Sequence, residues 1–185
     1  TAILSDVLSP LVSRSATELV SALRAGEISS AEVVAAHLDR IDDVDGTINA
    51  IPVRRDRDAV LAEAAALDAR PEPVGPLHGL PVAVKDLEAV AGLPTSQGST
   101  LTSRRPASAD GLIAARLRAA GAVIVGKTNT PEFGAGSHTF NRVHGLTRNP
   151  GSTDRSAGGS SGGAAAALAA RMLPIADGSD LGGSL

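Results

Sequence analysis

Cysteine is absent from the 185 residues, as are tryptophan and tyrosine, and the only aromatic side chains are Phe133 and Phe140. Without a thiol the chain has no disulfide, no thiolate nucleophile and no cysteine-ligated metal site. Large rings normally anchor a core. Here the interior must be packed from Ala, Val, Leu and Ile, and such a core is expected to be part of a larger one. An excess of charge is also missing. Seventeen basic and twenty acidic side chains give a formal net charge of −3, which makes no electrostatic case for nucleic acid or an anionic membrane. No long apolar run is present: the longest, Ala164 to Ala170, is too short to span a bilayer and is halted by Arg171. No charged segment followed by an apolar stretch opens the chain, so a cytoplasmic location is expected. The four histidines, His37, His78, His138 and His144, have no metal-like spacing and read as ordinary hydrogen-bonding residues. Their spacing predicts no metal site.

What is present has the balance of a globular protein, 43% hydrophobic and 20% charged. The first seventy residues read as helices. Ser15-Ala-Thr-Glu18 and Ser29-Ser-Ala-Glu32 each fit a capping box, in which serine and glutamate satisfy the free N–H groups of a helix start. Gly26 suits the end of the first helix. Val34, Leu38 and Ile41 form the stripe of a half-buried second helix, and Val60, Leu61, Ala64 and Leu67 that of a third over about 56–68. Pro71 and Pro73 mark a break. Beyond it, Gly79 to Val84 alternates as a short strand with Pro81 near its start. A helix over about 111–120 carries Leu112, Ile113 and Leu117, and Ala122 to Val125 is a buried strand. Helix followed by strand, twice over, predicts an α/β fold: a mixed sheet flanked by helices, with the N-terminal helices packed outside it. Residues 134–163 form a Gly-, Ser- and Asn-rich loop. From Gly162 to about Met172 the chain is helical again, and Leu173-Pro-Ile-Ala176 has the texture of a further strand.

Two motif matches fail on context. Gly121 to Thr128 has the spacing of a phosphate-binding loop, but its four central residues, Ala-Val-Ile-Val, are themselves a strand. Gly158-Gly-Ser-Ser-Gly162 fits a nucleophile elbow, which needs a strand before the serine; Asp154 to Ala157 does not read as one, and every histidine precedes Ser160. Three features survive. Lys85 sits at a strand end, a glycine–serine cluster opens a helix at residues 158–163, and a glycine–serine turn occupies 180–184. A serine hydroxyl is a poor nucleophile until a base takes its proton. Lysine is such a base only when neutral, which requires burial or a nearby cation. Glycines before Ser184 let backbone N–H groups approach a developing oxyanion. Lys127 is the rival base.

Residues 76–185 resemble the amidase signature family almost throughout, in Pro76-Leu-His-Gly-Leu-Pro-Val-Ala-Val-Lys-Asp86, Gly126-Lys-Thr-Asn129 with Pro131-Glu-Phe133, Gly158-Gly-Ser-Ser-Gly-Gly163 and Asp180-Leu-Gly-Gly-Ser184. Residues 15–51 are similar to its helical N-terminal segment. The resemblance implies an amide hydrolase working through an acyl-enzyme on a small-molecule amide, with neither a metal nor a cofactor. Ser184 would be the nucleophile. Ser160, after a cis peptide bond, would bridge it to Lys85 as the base. Backbone N–H groups of Leu181, Gly182, Gly183 and Ser184 would form the oxyanion hole. Ser161 would assist the bridge and Asp180 would hold the loop. Glu132 and Asp177 read as loop anchors. Lys127 matches a different part of the family pattern, and a structural role is expected for it. Family members are longer, so residues 1–70 are expected to form a helical segment and 71–185 the first part of the catalytic core, cut just after the nucleophile and inactive alone. No membrane partner is expected, and a homo-oligomer is allowed. The alternatives are a glutamine-hydrolysing subunit of a tRNA-dependent amidotransferase, which would need partner subunits, and a non-catalytic structural or binding fragment.

Overall fold

The computed structural model describes residues 9–185. Helix α1 (Ala16–Arg24) and helix α2 (Ser30–Ile48) both start at complete capping boxes. Glu18 N–H donates to Ser15 Oγ at 3.3 Å while Ser15 N–H donates to Glu18 Oε2 at 2.7 Å. The second box repeats this at Ser29 and Glu32, at 3.2 and 2.8 Å. Gly26 follows the last turn of α1 with a positive φ of 69°. Helix α2 ends at Asn49 in the left-handed region, and the Asn49 amide donates to the carbonyls of His144 and Leu146. The Asp45 carboxylate accepts the N–H groups of Ala50 and Ile51, so the chain leaves α2 in a fixed direction.

That direction leads into strand β1 (Val53–Arg54), which the sequence pattern did not reveal. Helix α3 (Arg57–Asp68), capped by Asp56, then packs on α2. Strands β2 (Pro81–Lys85) and β3 (Val123–Thr128) pair in parallel, β1 pairs antiparallel with β3, and the sheet order is β1-β3-β2. The sheet is mixed and flanked by helices, as expected. Both of its faces are buried. One carries Ala83, Val123 and Val125 against α2, α3 and helix α5 (Gly162–Ala169); the other carries Val82, Val84 and Ile124 against Val90, Leu93 and Ala114. Residues on both sides of position 70 thus share one core, built as the composition requires from Ala, Val, Leu and Ile with Met172.

Helix α4 (Leu112–Ala119) buries Ala114 with the partly buried Leu117 packed beside it, while Leu112 and Ile113 are exposed. Three expectations give way. Residues 134–163 are not a featureless loop: they fold into two ribbons, β4 (Phe140–Asn141) with β5 (Gly145–Leu146) and β6 (Arg148–Asn149) with β7 (Ser152–Ser156). Asp154 to Ser156 is therefore strand, and that part of the argument against a nucleophile elbow fails. β7 nevertheless pairs with β6 and stands outside the central sheet. Residues 173–176 form no strand; Pro174 has no N–H to give a ladder.

Gly163 sits where α5 meets the end of β3. A Cβ at this position would lie 2.4 Å from Asn129 N and 2.5 Å from Asn129 O, so only glycine permits the approach. The start of α5, and with it Ser160 and Ser161, is thereby drawn onto the strand ends.

Candidate active site

The ends of β2 and β3 each present a lysine that is almost completely buried, Lys85 at 1% and Lys127 at 0% exposure. In the parallel register Lys85 stands opposite Thr128 and Lys127 opposite Val84. Neighbouring positions on a strand point to opposite faces, so the two lysines leave the sheet on different sides and meet different chemistry.

Lys127 meets a carboxylate. Its Nζ lies 2.6 Å from Asp86 Oδ1 and donates to Thr95 Oγ1 at 2.7 Å and to Pro94 O at 3.1 Å. Asp86 Oδ2 accepts from Ser96 Oγ at 2.5 Å, and His144 Nε2 lies 3.6 Å from the same oxygen. Burial pushes the Asp86 carboxyl up, but His144, Lys127 and Ser96 outweigh it and hold the group below the usual carboxylate range. Burial lowers the Lys127 amine, with Asp86, Glu88 and Asp177 opposing. The strand that carries Lys127 also disposes of the phosphate-loop match, since Val123 to Thr128 is extended throughout.

Lys85 meets hydroxyls instead. Its Nζ donates to Ser160 Oγ at 2.8 Å, Ser161 Oγ at 2.8 Å and Ser179 Oγ at 2.9 Å. Burial draws the amine below the ordinary lysine range, with Asp177 and Asp180 pulling the other way. A buried amine ringed by neutral oxygens, and bonded to no carboxylate among the described residues, is in the environment that favours the uncharged form. Ser160 follows the cis peptide bond between Gly159 and Ser160. Its carbonyl accepts from Thr130 Oγ1 at 3.1 Å, which ties the serine to the chain just past β3. Ser179 was not among the sequence candidates. It lies just before Asp180, and its one sequence signal was adjacency to the last glycine–serine turn.

The third predicted side chain is held differently. The carbonyl of Ser184 accepts the N–H of Ser161 at 3.2 Å, which brings residues 180–185 alongside the cluster. The Ser184 hydroxyl makes no hydrogen bond to Ser160 among the described residues. Asp180 organises this turn, accepting Gly183 N–H at 2.6 Å and Leu185 N–H at 3.0 Å. The N–H groups of Gly183, Ser184, Leu185 and Gly182 hold its carboxyl below the usual range. Beside the turn opens a cavity of about 350 Å³ lined by Ala157, Ala164, Ala165, Leu168 and Asp177 together with Ser184.

The histidines stand apart from Lys85. His37 bonds the Met172 carbonyl, His78 accepts from Val74 N–H, His138 meets Ser156 and His144 meets Ser96. Among the described residues no group of three or more His, Cys, Asp or Glu could hold a metal ion, and no helix is long and apolar enough to cross a membrane.

Comparison with known proteins agrees with the backbone and the motifs. The chain is 46% identical over 181 residues to a glutamyl-tRNA(Gln) amidotransferase subunit of Nocardia farcinica, a match covering 96% of this chain and 37% of that protein. It is 45% identical over 174 residues to an acylamidase of Rhodococcus erythropolis, covering 92% of this chain and 36% of the relative. Among solved structures, a fatty acid amide hydrolase superposes with a TM-score of 0.90 at 31% identity, covering 96% of this chain and 32% of that one. The chain thus spans little more than a third of the length of the relatives it matches. The family model for Amidase matches residues 32–185, the stretch that runs from α2 through both lysines to the final glycine–serine turn. Taken with the shared backbone, that match establishes that this chain belongs to the amidase signature family.

Proposed function

We propose that this chain carries the catalytic lysine and serines of an enzyme that hydrolyses carboxylic amides, with Ser184 as nucleophile, Ser160 as proton bridge and Lys85 as base. The observation that carries the reading is the buried Lys85 amine, bonded to Ser160 Oγ at 2.8 Å and, among the described residues, to no carboxylate. In this reading the 180–185 turn swings the Ser184 hydroxyl onto Ser160. Ser184 Oγ attacks the amide carbonyl carbon and gives its proton to Ser160 Oγ, while the Ser160 proton passes to Lys85 Nζ. The tetrahedral oxyanion is held by backbone N–H groups from Leu181, Gly182, Gly183 and Ser184. Several of these already converge on the Asp180 carboxylate, which supports their capacity to hold a negative oxygen. Collapse breaks the C–N bond, and the leaving amine takes its proton from Lys85 through Ser160. Water then attacks the acyl carbon, giving a proton through Ser160 to Lys85; collapse breaks the bond from that carbon to Ser184 Oγ, which takes the proton back along the same path as the acid leaves. Ser161 and Ser179 keep the amine aimed at the bridge. In this reading the enzyme's N-terminal segment, which in the described residues holds α1 to α3, ends near residue 70, and 71–185 are the first part of its catalytic core.

For the whole protein, the amidotransferase reading is favoured. Five of the curated relatives at 45% identity or above are glutamyl-tRNA(Gln) amidotransferase subunits of the same kind. The amide would then be that of glutamine, the product ammonia, and the partners further subunits and a charged tRNA. Hydrolysis of simple acyl amides is the second reading, and the 45% identity to an acylamidase favours it. A fluorophosphonate probe tests the catalytic assignment: it should label the protein at Ser184, and Ser184→Ala and Lys85→Ala should each abolish labelling. Labelling that survives both changes would sink the triad. Co-purification with partner subunits and ammonia release from glutamine favour the first substrate class; turnover of simple acyl amides by the protein alone favours the second.

A further inference from the structure

Strand β2 lies at an edge of its sheet. Its last N–H groups alternate: Asp86 N–H donates to Thr128 O of β3 at 3.0 Å, so the Lys85 N–H points the other way, where a further strand would offer a carbonyl. The acceptor found there is Asp177 Oδ1, at 2.7 Å. A carbonyl would satisfy the N–H without bringing a charge. Asp177 brings one to the backbone of the residue whose amine must be neutral to act. The nearby lysines bond elsewhere, Lys85 to hydroxyls and Lys127 to Asp86.

We propose that Asp177 is a positioning residue with two tasks: it anchors the end of β2 through the Lys85 N–H, and its charge holds the Lys85 amine protonated until the pH rises, setting where hydrolysis switches on. This rests on Lys85 being the base. Among the described residues the charged groups around the pair are few. Lys85 faces Asp177 and Asp180 from the 176–185 segment; Asp177 faces Lys85 and Glu88; Lys127 faces Asp86, Glu88 and Asp177. Ser160 and Ser161 contribute hydroxyls and no charge. Asp180 is exposed, so solvent and salt screen it more than Asp177, which is half-buried. The sign follows directly. A carboxylate stabilises the ammonium, so its removal lets the amine lose its proton at lower pH.

Asp177→Asn separates the tasks, because the asparagine carbonyl can still accept the Lys85 N–H while the charge is gone. The readout is the rate of fluorophosphonate labelling against pH, each protein scaled to its own plateau. The rise should move to lower pH in D177N, giving a several-fold higher scaled rate on the acid limb of the wild-type profile, well below its midpoint. Asp177→Glu, which keeps the charge, should rise where the wild type does. Asp177→Ser is a second neutral variant in case D177N does not fold. A rise that stays put or moves to higher pH in a folded neutral variant overturns the proposal. So does a D177E profile displaced as far as that of D177N, or failure of both neutral variants to fold, which would reduce Asp177 to an anchor. Lys85→Ala, run alongside, separates the two levels of inference: if it labels like the wild type, the base assignment fails; if it is inert while D177N is unmoved, only the role of Asp177 falls.

Discussion

Replacing Lys127 by methionine removes one half of a charge pair that the fold has taken entirely out of water. Asp86 would remain 1% exposed, keeping its bonds to Ser96 but losing the cation at 2.6 Å. Stranding one member of such a pair destabilises by about 3–5 kcal/mol. For a chain of this length that corresponds to a fall of roughly 6–20 °C in Tm. Two assays check the reasoning. Denaturant titration of wild type, K127M, D86N and the double variant gives a coupling energy, and the double variant should lose clearly less than the sum of the single changes. Acid adds a second signature. Because partners hold Asp86 below its unfolded value, its contribution is present above the ordinary carboxylate pKa and disappears as pH falls through the folded value. K127M should weaken that dependence. Labelling per folded molecule, by contrast, should fall far less in K127M than in Lys85→Ala, since the two amines serve different faces of the sheet. A loss of stability below about 1 kcal/mol, the range of an exposed pair, or strict additivity in the cycle, would refute the argument.

Two further outcomes are expected. Gly163→Ala forces a methyl against both backbone atoms of Asn129; thermal unfolding should register a loss of about 1–3 kcal/mol, the usual range for overpacking, and probe labelling should drop with it, because the start of α5 carries the serines. His37 is buried, its Nδ1–H donates to Met172 O, and its Nε2 has no partner among the described residues; burial lowers it to about 4. The unfolded chain therefore takes up a proton that the fold refuses. Stability should drop as pH falls from about 6.5 towards 4, by roughly 3 kcal/mol in all, and a His37→Gln variant measured by denaturant titration across that range should lack this slope.

The parts of the fold legible in the sequence are those whose signal is local. Two capping boxes start α1 and α2 at the expected residues, and the stripe of Val34, Leu38 and Ile41 is buried as its spacing requires. Strand β1 and the ribbons β4 to β6 have two residues each, too few for any alternation to register. Helix α4 was legible in its extent and not in its facing: of Leu112, Ile113 and Leu117, only Leu117 packs with Ala114 against the sheet. The site was legible in a different way. No periodicity links residues 75 positions apart; Lys85 and Ser160 were paired through family resemblance, and their 2.8 Å contact depends on Gly163 and Thr130 as much as on the motif. Asp177 read as a loop anchor because the edge position of β2, which gives its carboxylate an N–H to hold, is a property of the sheet and not of the local sequence.

The register of β2 against β3 makes the sheet an electrical partition. On one side an ion pair is locked as salt; on the other a buried amine meets serine hydroxyls. A strand slipped by a single residue would turn each side chain to the opposite compartment, putting a carboxylate among the serines and the Lys85 amine beside its former neighbour's counter-ion. Insertions and deletions between residues 81 and 86 should therefore be far more damaging than substitutions of similar size, since they exchange the two environments at a stroke.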